Sequence, residues 1–140
     1  MSSPLSIRFA DAVLDRLRHR TRLVPGLTAS GLAHRLVDEG LRMAEHPGVV
    51  FKDGPSGRRA AVAFGPDVWE VVAFVRQVDE AGDEAVDAAA EVFALPHARI
   101  RLALRYYTAH PAEIDAEISE AEASSEAAEA AWEVERRLLA

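Results

Sequence analysis

Leu5, Ile7 and Phe9 alternate with Ser6 and Arg8, the two-residue period of a strand with one apolar face. The period then changes. Ala10, Val13, Leu14, Leu17, Thr21 and Val24 recur at helical spacing, which predicts a helix over about 11–23, ended by Pro25-Gly26. Thr28 stands as an N-cap before a second one-sided stripe, Leu32, Ala33, Leu36, Val37, Gly40, Leu41 and Ala44, closed by His46-Pro47-Gly48. Two short runs rich in Val, Phe and Ala then flank DGPSG and predict a hairpin. Downstream, Asp67 starts a helix through VWEVVAFVRQV, Gly82-Asp83 starts another through EAVDAAAEVF, and a third runs from Pro96 through HARIRLALRYYTAH. His110-Pro111 opens the last segment. The pattern predicts a mainly α chain with one hairpin.

The first strand raises the functional question, because a lone strand leaves its backbone N–H and C=O groups unmatched and no second strand-like run follows within about forty residues. Pairing antiparallel with the same strand of a second copy across a two-fold axis satisfies both. Leu5, Ile7 and Phe9 are then dimerisation residues, buried against four helices. Ser6 and Arg8 point the other way, on a two-stranded ribbon of the right width for the DNA major groove. The alternative is that the strand pairs with an edge of the 49–64 hairpin inside a monomer, leaving Arg8 solvated.

Composition changes this picture through charge. The chain has 140 residues and a net charge of -7, which by itself argues against binding phosphate. The charge is unevenly placed: 1–46 has seven bases against five acids, 47–110 seven against nine, and 111–140 two against nine. The front is mildly basic and the tail carries the deficit. At this length a unit buries little surface alone, so oligomerisation is expected. There is no cysteine, which removes disulfide, thiolate-metal and thiol-nucleophile chemistry and suits a reducing compartment. No apolar run approaches a membrane span, and MSSPLSIRFADAV lacks the pattern of a signal peptide. A cytoplasmic protein with no membrane partner is the expectation.

In SIRF, in the helix pair, and in LTASGLAHRLVDEGL with its Thr and Ser, the first third of the chain resembles the ribbon-helix-helix family of repressors and antitoxins. The resemblance implies that Ser6 and Arg8 read base edges. It also implies that the start of the second helix, at Thr28, Ala29 and Ser30, grips a phosphate with its free amides.

In the middle, Ala90, Ala94 at the tight turn and Ile100 have the spacing of a helix-turn-helix. His97, Arg101 and Arg105 then share one helix face at i, i+4, i+8, and the hairpin turn carries Arg58 and Arg59. This reads as a winged-helix-like module. The stretch from HPGVVFKDGPSGRR through ALRYYTAHPAEIDAEI is similar to a small domain of unknown function in VapB-type antitoxins. Asp83, Glu84, Asp87 and Glu91 crowd the helix before the turn and would repel phosphate, so a packing module that spaces or dimerises the heads stands beside a DNA-contacting one. Trp69, Phe74, Phe93 and Tyr106 fall on or near apolar stripes and are expected in its core.

In the tail, Ile114, Ile118, Ala121, Ser125, Ala128, Trp132, Glu135 and Leu139 follow alternating spacings of four and three, a coiled-coil seam by position but a poor one by residue type. Trp132, Val134, Leu138 and Leu139 leave an apolar cluster at its end. In VapB-type antitoxins the corresponding tail lies on a PIN-domain ribonuclease, with a basic residue in its acidic metal site. The resemblance therefore implies toxin-binding roles for Trp132, Val134, Arg136, Arg137, Leu138 and Leu139. A solvated helix packing back on its own dimer is the alternative.

Nothing points to an enzyme. The histidines at 19, 34, 46, 97 and 110 offer one tight pairing with an acid, His110 with Glu113; GPSG lacks the GK[ST] of a phosphate loop; and no serine lies in a nucleophile elbow. His46 and His110, each before Pro, are expected to end helices. The expected organisation is a ribbon-helix-helix DNA-binding and dimerisation head over 1–46, a winged-helix-like module over 47–110 and an acidic partner-binding helix over 111–140. The expected function is a homodimeric type II antitoxin that represses its own operator DNA and neutralises a PIN-like toxin, with no cofactor and no metal. A stand-alone repressor and a protein-interaction adaptor without DNA binding are the alternatives.

Overall fold

The computed structural model describes residues 2–140 and, among them, six helices and one hairpin. Two compact units divide the chain, 1–44 and 45–140.

The N-terminal unit holds α1 (Asp11–Arg22) and α2 (Ala29–Glu45). Asp11 in the first turn of α1 and His19, Arg20 and Arg22 in the last match the helix dipole. Leu23 caps its end, and Gly26 takes a left-handed φ of +78° that lets the chain turn into α2. Thr28 caps α2 as expected: its Oγ1 accepts the Gly31 N–H at 3.0 Å, and its carbonyl accepts the Leu32 N–H at 2.9 Å. Residues 2–10 carry no regular secondary structure. The sheet has two strands, neither from this segment, so the predicted 5–9 strand is not formed in the single chain. Its hydrogen-bonding groups have no ladder to join.

The second unit begins with β1 (Val49–Gly54) and β2 (Gly57–Val62), antiparallel and in register from Val49 opposite Val62 to Gly54 opposite Gly57. The turn is therefore only Pro55-Ser56, tighter than DGPSG suggested, and Gly57, the first residue of β2, takes a φ of +135° that glycine adopts without strain. The chain then folds back on β2, with the Val62 N–H bonded to the Pro66 carbonyl and an isolated bridge from Ala61 to Asp67. Asp67 starts α3 (Val68–Gln77) in a reciprocal capping box with Glu70.

Helices α4 (Asp83–Phe93) and α5 (His97–Ala109) are joined by a short turn in which Ala94 is left-handed. The Leu95 N–H returns to the Ala90 carbonyl, the six-to-one bond of a Schellman stop. Pro111 opens α6 (Pro111–Leu139), about 43 Å of continuous helix at 1.5 Å per residue. One core cluster joins Val49 and Val62 of the hairpin, Val68, Val71 and Val72 of α3, Val86 and Ala89 of α4, Ile100 and Tyr106 of α5, and Ile114 and Ile118 of α6. The predicted core aromatics behave accordingly: Tyr106 is wholly buried, and Trp69, Phe74 and Phe93 are packed against the cluster. The boundary expected between a middle module and a tail is crossed by packing, because the first turns of α6 are part of this core.

Candidate functional site

Three groups of predicted site residues lie in different settings. In the N-terminal unit, Leu5, Ile7 and Phe9 are all exposed, Leu5 at 82%, and Ser6 and Arg8 are exposed beside them. No residue of α1 is buried. On α2 the predicted stripe divides: Leu32 is buried, while Leu36, Val37 and Leu41 are each more than half exposed. Burying such side chains is worth about 1.5–3 kcal/mol each, so in one chain this unit leaves much of its own driving force unused. At the start of α2, Thr28 and Ser30 are exposed and Ala29 is half-buried. The Gly31 and Leu32 amides are taken by Thr28, which leaves the first-turn amides of Ala29 and Ser30 as the groups able to meet an anion.

The five residues of the middle module expected to contact DNA separate. Arg105 is exposed and forms no ion pair among the described residues. Arg58 pairs with Asp53 across the hairpin at 3.2 Å. His97 Nε2 lies 2.6 Å from Asp87 Oδ1, and Arg101 Nη2 lies 2.7 Å from Asp83 Oδ1. Asp83 and Asp87, two of the α4 acids expected to repel phosphate, instead pair with Arg101 and His97 on α5. These pairs are exposed and individually weak, yet a phosphate would have to compete with them.

Arg59 differs most from its predicted place. The expectation put it on an exposed turn beside Arg58, but its side chain is 8% exposed and directed inward. The alternation of a strand explains this: neighbouring residues of β2 point to opposite faces, so an outward Arg58 requires an inward Arg59. Its Nη2 donates to Ser56 Oγ at 3.0 Å and lies 3.6 Å from Glu120 Oε1, and its Nη1 stands 3.9 Å from Glu117 Oε1. Arg59 is thus an interior cation under α6 and leaves the DNA-contacting set.

Several functional-looking groups were missed in the sequence. Glu117 is buried on α6, and burial pushes its carboxyl up to about 7, helped by Glu113, opposed by Arg59, and helped further by Asp67 and Glu120. A signal existed, since Glu117 falls between Ile114 and Ile118 on the inward stripe. Arg76 of α3 reaches α6, donating to Asp115 Oδ1 at 2.6 Å and to the Tyr107 hydroxyl. The hydrogen bond from Arg76 holds the Asp115 carboxyl below the ordinary carboxylate range. His46 and His110 do follow helix ends, as expected, and their rings also flank Tyr106, at centroid distances of 5.2 and 4.7 Å. The Tyr106 hydroxyl donates to Glu113 Oε2 at 2.8 Å.

Beyond Ala121 every residue of α6 is exposed except half-buried Glu133. Trp132, Val134, Leu138 and Leu139 are exposed together. Arg136 lies over the Trp132 ring at 5.2 Å, a cation–π contact, and Arg137 approaches Glu133 at 3.8 Å. The predicted tail residues therefore all lie on an exposed, acidic stretch of helix, with Trp132 and Leu139 on one side and Val134 and Leu138 on the other. No described helix is long and apolar enough to cross a membrane. Among the described residues, no group of three or more His, Cys, Asp or Glu is placed to hold a metal ion.

No family model, no curated protein and no solved structure matches this chain.

Proposed function

We propose that this protein is a homodimeric, DNA-binding antitoxin that represses its own operon through its N-terminal unit and neutralises a PIN-like ribonuclease toxin through the distal half of α6. The observation that carries the reading is the unburied apolar surface of the N-terminal unit. Leu5, Ile7 and Phe9 on one segment, and Leu36, Val37 and Leu41 on α2, are exposed in a unit whose first helix buries nothing. A second copy of the same unit supplies both the missing apolar cover and a partner strand for residues 5–9, in a ribbon-helix-helix arrangement. Ser6 and Arg8 then face outward for base contact, with the α2 amides of Ala29 and Ser30 for phosphate.

The tail supports the second half of the reading. Its exposed apolar tip and acidic flanks suit a partner with a basic channel, and Arg136 and Arg137 are its only bases. The winged-helix-like middle module is assigned a packing role, because His97 and Arg101 are held by α4 acids and Arg59 is interior. The same pairing favours a second reading, an interaction adaptor that never contacts DNA.

One experiment separates the two. Arg8→Ala is expected to weaken operator binding by about 1–3 kcal/mol, roughly 5- to 150-fold, if the guanidinium makes a bidentate base contact. A gel-shift titration at fixed salt that is unchanged for this variant removes the DNA-binding half. Deleting residues 126–140 is expected to abolish co-purification of the adjacent gene product while operator binding survives.

A further inference from the structure

Glu117 lies on the stripe by which α6 enters the core, three residues after Ile114 and one before Ile118. Its carboxyl faces Arg59, whose side chain crosses Gly54 so closely that a Cβ there would collide with it. The two groups face each other without bonding. Arg59 Nη1 and Glu117 Oε1 are 3.9 Å apart, and neither Arg59 Nη1 nor Glu117 Oε2 has a hydrogen-bond partner among the described residues. The better contacts of Arg59 go to Ser56 and to half-exposed Glu120.

The surrounding charge is unbalanced. On α6, Glu113 and Glu120 flank Glu117; at the start of α3 stands Asp67; the cations are Arg59 on β2 and Lys52 on β1, and Lys52 is already paired with Asp67 at 2.7 Å. From α5, Tyr106 contributes a hydroxyl that donates to Glu113, with the His46 and His110 rings beside it. Three further carboxyls thus surround Glu117, and its own Oε1 stands 3.9 Å from Arg59 Nη1, beyond hydrogen-bond distance. An ionised carboxylate with an unbonded oxygen in such a place is costly, whereas its protonated form carries no net charge.

We propose that this junction is a proton-operated latch: the start of α6 is held against α3, α5 and Arg59 of the hairpin while Glu117 is protonated, and its first turns loosen when that carboxyl ionises. The direction follows from linkage. An acid whose affinity for protons is higher in the packed state stabilises that state fully below its ordinary value of 4.5, and the contribution disappears as pH rises towards about 7. Above that point Glu117 is ionised in both states and the dependence levels off. Asp115 on the next face of α6 acts in the opposite sense and in a different window. Its carboxyl is held low by Arg76, so its contribution is present above 3.8 and lost only at more acidic pH. The latch controls the part of α6 from which the exposed distal half extends, and it stands whether or not the distal half binds a toxin.

The test is amide hydrogen exchange on the full-length protein between pH 5 and 8, corrected for intrinsic exchange rates and read at residues 114–121. Opening of these turns is expected to increase by up to about tenfold per unit between pH 5 and 6.5, the limit for one coupled proton, and to level off above pH 7. Glu117→Gln, which cannot ionise, is expected to give a flat profile, and Asp115→Asn to keep the wild-type slope. A Glu117→Gln profile with the wild-type slope overturns the proposal. Carbon-detected titration of the Glu117 carboxyl in the unmodified protein decides independently of how well the variant folds: a midpoint near 7 supports the latch, and one near 4.5 overturns it.

Discussion

The N-terminal and C-terminal units both carry one-sided apolar stripes, and only the second closes them into a core within one chain. Around Tyr106, elements from the hairpin to α6 contribute buried Val, Ala and Ile residues, so each amphipathic face meets another. In the N-terminal unit, α1 and α2 have equally regular stripes, yet α1 buries no residue and half of the α2 stripe is exposed. The difference is one of partner supply. A helix pair and a single strand-like segment cannot enclose their own apolar faces, while a hairpin with four helices can. The first unit therefore leaves its apolar faces uncovered within itself, and the second is where the chain satisfies itself.

That contrast can be broken most sharply in the core. Tyr106→Ala is expected to destabilise the C-terminal unit by about 3–5 kcal/mol, as for large aromatic truncations, with little effect on dimerisation. Urea unfolding followed by Trp69 fluorescence, together with sedimentation velocity, checks both halves. Equal losses in both measurements would show that the two units are not energetically separate.

A smaller effect is expected from the exposed row. Ile7→Ser removes an apolar side chain that is idle in the single chain and contributes twice in a symmetric dimer. At about 1.5–3 kcal/mol per buried aliphatic side chain, the dimer is expected to weaken by two orders of magnitude or more, and the C-terminal unit to keep its unfolding midpoint. Sedimentation equilibrium over a concentration series measures this. An unchanged association constant would mean that residues 5–9 lie outside any dimer contact.

The smallest of these effects concerns the cap of α2. Thr28→Ala loses the hydrogen bond to Gly31 and is expected to cost about 1 kcal/mol, visible as faster amide exchange at the start of α2 and absent from the C-terminal unit.

Local chemistry was legible without coordinates. Thr28, Asp67, Gly82, Pro96 and Pro111 each mark a helix start in the sequence, and each does so in the structure, because caps and proline restraints act over three or four residues. The tight turn at Ala94 and the buried Ala90 and Ile100 were legible for the same reason. Arg59 was not. From sequence it belongs to a basic pair on a turn, and only the register of the hairpin, with α6 laid over it, turns one arginine inward and leaves the other outside. The pairing of His97 with Asp87 and of Arg101 with Asp83 was also hidden, since the charges come from two helices whose approach is set by packing around Ile100 and Ala89.

The amino-acid order by itself determined where helices and the hairpin begin and end, which face of each is apolar, and how charge is distributed from a mildly basic front to an acidic tail. These properties depend on neighbours within a few positions of the chain. Tertiary structure alone decided that Arg59 and Glu117 meet in the interior, that the first turns of α6 are core while its remainder is surface, and which side chains of α5 are paired with α4 acids. Those outcomes depend on distances between residues far apart in sequence, where burial and pairing are settled by the packed whole.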